Sequence, residues 1–375
     1  HPNPPPRGGR EATARRARLA PGATIGILGG GQLGRMLAMA GARLGLKSRI
    51  YSDVADAPAA DVAASLTIGA YTDAEALARF AAEVDVVTYE FENVPVAAAD
   101  AVAPIVPVYP PRAALAATQD RLIEKRTLSG LGIPVAPHKA VDTAADLTEA
   151  MRELGLPLLL KTRRFGYDGK GQVRVEPGAD AVAALAALGG VASIAEGMVR
   201  FDREISVLAV RGQDGEMRFY DCPENRHSEG ILRTSTVPAA ISPAVTRQAL
   251  THARTLAEAL DYVGLLAIEL FHIDGPDGGT LIANEVAPRV HNSGHWTIDA
   301  CLCSQFENHM RAVAGWPLGP TARHSDCVME NLIGHDVEAW ETLAADPAVG
   351  VHLYGKKDAR PGRKMGHINR LKRRQ

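Results

Sequence analysis

The sequence has few cysteines, few aromatic residues and almost no net charge, and each shortage excludes a class of protein. Cys222, Cys301, Cys303 and Cys327 show no paired C-x-x-C spacing, so neither a disulfide framework nor a zinc site is predicted. An aromatic content of 5% and a net charge of −2 argue against nucleic-acid binding. No uninterrupted apolar run reaches the roughly 18 residues that a membrane span needs. We therefore predict neither a nucleic-acid nor a membrane partner.

The chain has enough apolar residues to bury a large core. Its 375 residues are 46% hydrophobic, which predicts two or three domains. The N-terminal segment is rich in proline and glycine and carries five arginines in its first 22 residues, without the apolar centre of a signal peptide. We predict a disordered extension over residues 1–23, with a transit segment as the alternative, and a cytoplasmic location.

A hairpin near the C-terminal third carries two carboxylates in apolar strands. The strands are predicted at residues 265–273 and 281–285, with a glycine-rich turn between them. Folding this hairpin about its turn places Glu269 opposite Asn284 and beside Glu285, within one residue of register.

The carboxylate pair indicates a cation. Two carboxylates so close in an apolar sheet repel each other, and burying an unpaired ion costs several kcal/mol. Two carboxylates and an amide oxygen form a set of hard ligands that suits Mg²⁺, with Mn²⁺ as a second candidate. The alternative is that each carboxylate pairs with an arginine or a lysine.

Hydrogen-bond donors crowd the segment after this hairpin. Arg289, His291, Asn292 and His295 fall within seven positions and begin four residues after Glu285. Such a cluster of donors suits an anion. We therefore predict that the segment is the reaction centre.

A glycine-rich turn follows the first predicted strand. The strand covers residues 24–28, the glycines stand at 29, 31 and 34, and a helix follows to about Leu44. This spacing, with Asp53 after the next strand, matches a dinucleotide-binding motif. Similar turns also open Rossmann-like domains that bind other phosphates or polar ligands.

Several polar residues are predicted at the ends of other strands. Because the carboxyl ends of parallel strands form the ligand crevice, Gln32 and Glu90 should face one cleft, unless Glu90 is a solvated loop acid. Lys161 ends a strand, and the glycine loop 164–172 after it can close over phosphates or form a plain hairpin. That loop lacks the G-x-x-x-x-G-K-[ST] pattern, so a P-loop is excluded.

Two further segments carry charge. Glu196 and Glu204 flank the end of a predicted strand and could hold an adenine amino group and ribose hydroxyls. Lys356 and Arg363 lie in a basic loop with a Pro-Gly pair, which forms either a phosphate cradle or solvated charge.

Taken in order, these features resemble the ATP-grasp superfamily. The chain is similar to the 5-(carboxyamino)imidazole ribonucleotide synthase family of purine biosynthesis in six strings: GILGGGQLGRM, YEFENVP, TQDRLIEK, FGYDGKGQ, NEVAPRVHNSGHWT and RPGRKMGHIN. The resemblance implies an α/β fold, with a Rossmann-like (pre-ATP-grasp) N-terminal domain, an ATP-grasp domain with a small α+β lid, and a C-terminal α+β domain. The implied bounds are 24–118 for the first domain, 119–319 for the second with its lid at about 135–205, and 320–375 for the third with its basic substrate loop.

The resemblance also implies roles for individual residues. It implies Mg²⁺ ligands at Glu269 and Glu285, and contacts to bicarbonate and carboxyphosphate at Arg289, His291 and Asn292. It implies ATP contacts at Arg121, Lys161, Gly166, Tyr167, Asp168, Gly169, Lys170, Gly171, Gln172, Glu196, Gly197, Met198, Val199, Glu204, His227, Asn284 and Glu285. It implies contacts to aminoimidazole ribonucleotide at Gln32, Glu90, Tyr167, Asp168, Lys170, Lys356 and Arg363, with the last two binding its 5′-phosphate.

The implied reaction uses ATP and bicarbonate to carboxylate the exocyclic amine of aminoimidazole ribonucleotide through carboxyphosphate, and the family implies a homodimer. A formate-dependent glycinamide ribonucleotide transformylase or another ATP-grasp ligase is the alternative, and the string RVHNSGH disfavours the transformylase. An NAD-dependent dehydrogenase would leave the carboxylate hairpin and the glycine loop without a role. A nucleotide sensor would not need the cluster around Arg289 and His291.

Overall fold

The computed structural model describes residues 18–166 and 168–373 and arranges this part of the chain around three β-sheets. The first sheet is parallel, with strand order β3-β2-β1-β4. Strand β1, one of the two inner strands, is almost wholly buried, as its apolar sequence predicts. The strands are β1 (Thr24–Leu28), β2 (Lys47–Ser52), β3 (Ser65–Ile68) and β4 (Val86–Tyr89). The helices of this region are α1 (Gln32–Arg43), α2 (Ala74–Ala81), α3 (Val96–Val102) and α4 (Arg112–Thr118).

The second sheet is small and antiparallel, with strand order β5-β8-β6-β7. It lies within residues 135–205, where the lid is predicted, and the glycine loop joins β6 to β7. Helix α5 (Arg121–Gly130) leads into it from the first sheet. The other elements are β5 (His138–Val141), α6 (Ala144–Leu154), β6 (Leu158–Thr162), β7 (Gln172–Val175), α7 (Ala181–Ala187) and β8 (Ser193–Gly197).

The third sheet has nine strands, in the order β14-β13-β9-β11-β12-β15-β17-β16 with β10 beside β9. One continuous sheet therefore runs across residue 319, where a domain boundary is predicted. The strands are β9 (Arg203–Arg211), β10 (Met217–Phe219), β11 (Glu224–Ser228), β12 (Ile231–Val237), β13 (Gly264–Ile273), β14 (Thr280–Ala287), β15 (Ser325–Ile333), β16 (Val349–Leu353) and β17 (Lys364–Arg373). The helices are α8 (Pro243–Ala259), α9 (Thr297–Ala300), α10 (Gln305–Val313) and α11 (Trp340–Ala344).

Helices α1 and α10 attach the first sheet to the third. Leu37 of α1 and Met310 of α10 belong to one buried apolar cluster, and a Cβ atom added to Gly41 would lie 2.8 Å from the Met310 side chain. A buried hydrogen bond of 2.8 Å between Thr88 Oγ1 and His309 Nε2 joins β4 to the same helix. These contacts fix the carboxyl ends of the parallel strands relative to the carboxylate hairpin.

The end of the predicted N-terminal extension is part of this fold. The Leu19 N–H donates to the Ala314 carbonyl at 3.0 Å, and Trp316 Nε1–H donates to the Leu19 carbonyl at 2.7 Å. Residues 1–17 and Tyr167 lie outside the described residues. No helix in the described part of the chain has both the length and the apolar content needed to cross a membrane.

Candidate active site

A cavity of about 610 Å³ is lined by residues of the second and third sheets and by residues that follow strands of the first sheet. It lies where the glycine turn, the lid and the carboxylate hairpin meet. Of the residues predicted for the site, those that line it are Gln32, Glu90, Arg121, Lys161, Gly166, Asp168, Gly169, Lys170, Gln172, Glu204, His227, Glu269, Asn284, Glu285, Arg289, His291, Asn292 and His295. The fold therefore brings these residues, which lie far apart in the sequence, together around one cavity.

The carboxylate hairpin has the predicted strands and nearly the predicted register. Glu269 of β13 lies directly opposite Glu285 of β14, and a bulge follows between Glu269 and Leu270. Burial, together with the charge of Glu285, raises the pKa of Glu269 to about 7. Such a shift means that an added positive charge beside this carboxylate would be stabilising.

The two glutamates have different neighbours. Glu285 Oε2 lies 3.3 Å from an Arg121 guanidinium nitrogen, so the alternative of an arginine partner holds for this residue. Glu269 Oε1 instead lies 3.5 Å from His291 Nε2, and burial keeps the pKa of that imidazole well below its usual value. Glu269 therefore faces a neutral ring rather than a permanent cation at that contact.

The described residues contain no group of three or more histidine, cysteine, aspartate or glutamate side chains able to hold a metal ion on their own. A cation at Glu269 and Glu285 would need further oxygen ligands, such as phosphate oxygens. That requirement suits a hard ion held by few carboxylates together with a nucleotide. The residues present therefore fit a divalent ion that arrives with phosphates.

The glycine turn holds a carboxylate of the protein itself. Glu90 is buried and accepts hydrogen bonds from the Gly31 N–H at 2.5 Å and the Gly34 N–H at 2.9 Å. A Cβ atom at Gly29 would overlap Glu90 Cγ, and one at Gly31 would lie 2.6 Å from Glu90 Oε1. The glycines thus leave room for this carboxylate at the start of α1, and the alternative of a solvated loop acid is wrong.

This arrangement also argues against a dinucleotide site. In such a site the first turn of α1 would present its N–H groups to a pyrophosphate. Here Glu90 accepts two of them, and Asp53, the expected ribose-binding acid, is exposed and does not line the cavity.

Arg289 is held by a glutamate that the sequence analysis did not identify. Its Nε–H donates to Glu92 Oε2 in a short hydrogen bond, and a terminal N–H donates to the Val290 carbonyl at 3.0 Å. Although burial alone would raise it, the Arg289 guanidinium lowers the pKa of Glu92 to about 2. The guanidinium is therefore fixed before any ligand binds. One sequence feature could have predicted Glu92 as a site residue: it stands two positions after Glu90 and therefore follows the end of the same strand.

A second ion-pair network lies under the lid and includes a lysine that the sequence analysis missed. The Lys161 amine donates to Glu196 Oε2 at 2.8 Å, and the amine of Lys125 lies 3.8 Å from Glu196 Oε1. Lys125 also donates to the Asn284 carbonyl at 2.5 Å. Burial favours a neutral Glu196, but the two lysines lower its pKa. The network thus links α5, the lid and the carboxylate hairpin.

Glu124 is another cavity residue that the sequence analysis did not identify. Its Oε1 accepts the Val286 N–H at 3.2 Å, and burial raises its pKa to about 8. At the other side of the cavity, Glu204 contacts His227 Nδ1 closely. Burial would lower the pKa of His227, but the hydrogen bond to Glu204 raises it.

The glycine loop of the lid lies against its surroundings. The Gly166 carbonyl accepts a hydrogen bond from Arg121 at 3.2 Å, and the Lys364 amine donates to Asp168 Oδ1 at 2.7 Å. A Cβ atom at Gly230 would lie 2.5 Å from the Gly169 Cα. The loop therefore covers the cavity and contacts both the β11–β12 turn and β17.

Some predicted residues do not line the cavity. Among the described residues these are Gly171, Glu196, Gly197, Met198, Val199, Lys356 and Arg363. The Lys356 amine donates to the Lys364 carbonyl at 2.7 Å, and burial lowers its pKa to about 8. Arg363 donates to the Asp358 carbonyl at 2.9 Å. The basic residue of this segment that lines the cavity is Lys364.

Sequence comparisons match nearly all of the chain. Residues 22–119 match the ribonucleotide synthetase preATP-grasp domain, residues 126–306 the ATP-grasp domain, and residues 327–375 the phosphoribosylaminoimidazole carboxylase C-terminal domain. The N5-carboxyaminoimidazole ribonucleotide synthase of Brucella melitensis biotype 1 is 54% identical over 356 residues, which cover 94% of this chain and 98% of that protein.

Solved structures that resemble this chain belong to the same family as the relatives found by sequence. N5-carboxyaminoimidazole ribonucleotide synthetase from Thermus thermophilus is 50% identical, with a TM-score of 0.86 and coverage of 93% of each chain. N5-carboxyaminoimidazole synthase from Aspergillus clavatus, in complex with ADP and 5-aminoimidazole ribonucleotide, is 33% identical, with a TM-score of 0.87 and coverage of 94% of each chain. The predicted ATP-grasp fold, with its N-terminal Rossmann-like domain and its C-terminal domain, is confirmed.

Proposed function

The chain belongs to the N5-carboxyaminoimidazole ribonucleotide synthase family, whose ATP-grasp ligases carboxylate aminoimidazole ribonucleotide in purine biosynthesis, and we propose that it does so with bicarbonate through carboxyphosphate. A bicarbonate oxygen attacks the γ-phosphorus of ATP and ADP leaves. The exocyclic amine of the ribonucleotide then bonds to the carboxyl carbon, and phosphate leaves. The observation that carries this proposal is that the carboxylate pair and the Arg289–His291 donors open into one cavity.

The lid side of the cavity is the proposed ATP site. Lys161 and Arg121 would supply positive charge for the phosphates, Glu204 would contact the adenine or the ribose, and His227, which also lines the cavity, would be a further ATP contact. Glu269 and Glu285 would hold Mg²⁺, or Mn²⁺ in its place. When bound, such an ion neutralises phosphate charge. Tyr167, also predicted here, lies outside the described residues.

The segment after β14 is the proposed bicarbonate and carboxyphosphate site. Arg289 offers a planar donor fork, and its bond to Glu92 fixes the orientation of that fork. The amide of Asn292 is buried and lines the cavity, and both its oxygen and its nitrogen lack a hydrogen-bond partner within the described residues. A buried amide of this kind is costly unless a ligand completes its hydrogen bonds. Carboxyphosphate is short-lived in water, so a covered pocket of donors also protects it.

The glycine turn and the lid loop form the proposed ribonucleotide site. Gln32 of α1 and Glu90 after β4 line the cavity on one side of this proposed site, and Asp168 and Lys170 of the glycine loop line it on the other. The basic loop is the proposed site of the 5′-phosphate. The homodimer remains a prediction that the family resemblance implies, and the cytoplasmic location remains a prediction from the N-terminal sequence.

The proposed substrates are tested directly by ADP release. With ATP and Mg²⁺ present, we expect ADP only when aminoimidazole ribonucleotide and bicarbonate are both added, and a lower rate in buffer stripped of carbon dioxide. Formate with glycinamide ribonucleotide serves as the control pair, and NADH absorbance is followed in parallel. ADP release with the formate pair, or a change in nicotinamide absorbance without ADP, would refute the proposal.

The 5′-phosphate site is tested by a second experiment. Replacing Arg363 by alanine should raise KM for the ribonucleotide about 10-fold or more, because a hydrogen bond to a charged group is worth about 1.5–3 kcal/mol. KM for ATP should change by less than a factor of about two. The matched control is Arg360→Ala in the same loop, since Arg360 is exposed and pairs with Asp358 at 3.1 Å. Equal losses for both substrates would show that the loop is structural, and an effect of Lys364→Ala alone would assign the phosphate to Lys364.

A further inference from the structure

We infer that Ser293 and Ser206 are positioning residues that hold the His291 imidazole in the tautomer with its proton on Nε2, facing the cavity. The inference deepens the proposed function, on which the role of His291 in binding bicarbonate rests. The placement of the proton itself follows from hydrogen bonds within the protein.

The direction of these hydrogen bonds follows from a backbone N–H. The Ser293 N–H donates to His291 Nδ1 at 3.3 Å, so Nδ1 is an acceptor and carries no proton. Ser293 Oγ, 2.8 Å from the same nitrogen, must then donate to it. Ser206 Oγ lies 2.6 Å from Ser293 Oγ and is left to donate to that oxygen. Each hydroxyl proton thus has one assigned acceptor.

This series of hydrogen bonds continues into the third sheet, and each donor in it meets an acceptor. Asn225 Nδ2 donates to Ser206 Oγ at 3.0 Å, and Ser235 Oγ donates to Asn225 Oδ1 at 2.7 Å. Asn225 and Ser235 are opposite each other in the β11–β12 pair, and Ser206 is opposite Glu269 in the β9–β13 pair. Four links therefore run in one direction from a buried strand to the histidine.

Burial makes this direction hard to reverse. Ser206, Ser235 and Ser293 are fully buried and Asn225 is 4% exposed, so water is a poor substitute for any member. Reversing one link would leave two donors facing each other, and an unsatisfied buried polar group is destabilising. This series of hydrogen bonds therefore biases the imidazole toward the tautomer with its proton on Nε2.

The chosen tautomer suits an anion in the cavity. With Nδ1 as an acceptor, the neutral ring carries its proton on Nε2, the atom that lies 3.5 Å from Glu269 Oε1. That N–H is a donor for bicarbonate or for the carboxyphosphate that forms beside Arg289. The other tautomer would direct a lone pair at the same oxygen atoms and repel them.

The test combines nitrogen NMR with kinetics on the full-length protein. Long-range proton–nitrogen spectra of ¹⁵N-histidine-labelled protein without ligands are assigned with a His291→Gln variant. We expect wild-type His291 to show its proton on Nε2 alone. In Ser293→Ala a fraction with the proton on Nδ1 should appear, and kcat should fall about 10–100-fold, by analogy with the loss of a partner that orients a metal-bound histidine. KM for ATP should stay within about twofold.

The matched control is Ser325→Ala. Ser325 is also buried and lies 3.0 Å from a histidine nitrogen, on His324, but it is outside the cavity lining, so neither kcat nor the His291 spectrum should change. A proton on Nδ1 in the wild-type protein would overturn the inference. So would an unchanged tautomer in Ser293→Ala, whether or not kcat falls. If that variant does not fold, the wild-type spectrum decides alone. Absence of ribonucleotide-dependent ADP release in the wild type would refute the proposed function without touching the spectrum.

Discussion

Replacing Arg289 by alanine is expected to lower kcat for ADP formation about 10²–10³-fold, the usual effect of removing one preorganised donor from a developing charge. The Glu92 hydrogen bond fixes the guanidinium before substrate arrives, so no reorganisation is needed during the reaction. KM for ATP should barely change, because Lys161 and Arg121 supply the charge at the proposed phosphate site. Steady-state kinetics with ATP and with bicarbonate separate these two effects.

A matched arginine provides the control for this variant. Arg311 is also paired with a glutamate, Glu307, at 2.8 Å, but it lies on α10 outside the cavity lining, so Arg311→Ala should keep wild-type kcat. Oxygen-labelled bicarbonate adds a chemical readout in the wild-type enzyme. One labelled oxygen should pass to the released phosphate, since a bicarbonate oxygen attacks the γ-phosphorus. Unlabelled phosphate, or an Arg289→Ala variant as active as the control, would remove Arg289 from the proposed role.

The parts of the site that the sequence predicted are those encoded by local patterns. The strand Thr24–Leu28 and the carboxylate hairpin could be predicted because apolar runs and glycine turns are short-range signals. The bulge after Glu269 could not be predicted. Because of this bulge, the residue opposite Glu269 is Glu285 and not Asn284. A one-residue change of register is what such local reasoning leaves undetermined.

The residues that were missed have partners far away in the chain. Glu92 pairs with Arg289, 197 positions later, and Lys125 reaches the Asn284 carbonyl, 159 positions later. The spacing of apolar and polar residues within one segment cannot predict pairs between segments so far apart. The hydrogen bonds that run from Ser206 through Ser293 to His291 were missed for the same reason, since Ser206 and Ser293 are 87 positions apart. Long-range pairing of this kind becomes visible only once the sheets are assembled.

Glu269→Gln is the second replacement expected to have a large effect, and it should change activity and stability in opposite directions. Removing one of two carboxylates proposed to hold Mg²⁺ should lower ADP formation at least about 100-fold, since even outer-shell partners of a metal cost 10–100-fold. In Mg²⁺-free buffer at neutral pH, the free energy of unfolding should rise. The reason is that the variant loses a buried charge that Glu285 repels, while glutamine keeps the shape of the side chain.

The sign of the stability change follows from the pKa of Glu269. Its folded value of about 7 lies above the ordinary 4.5, so the folded protein holds this proton more tightly than the unfolded chain does. The resulting stability is fully present below about pH 4.5 and is lost as the pH rises through about 7. The wild type without Mg²⁺ should therefore lose stability across that window, and Glu269→Gln should lose less.

Thermal unfolding across this pH window, alongside kinetics at several Mg²⁺ concentrations, measures both effects. Glu330→Gln is the matched control, because Glu330 also lies in a strand of the third sheet but does not line the cavity. It should leave the Mg²⁺ dependence and the pH dependence as they are in the wild type. A Glu269→Gln variant with wild-type Mg²⁺ dependence would exclude Glu269 as a metal ligand. If it lost activity but also lost stability in Mg²⁺-free buffer, Glu269 would instead be a structural carboxylate stabilised by its neighbours, and the case for a cation between Glu269 and Glu285 would fail.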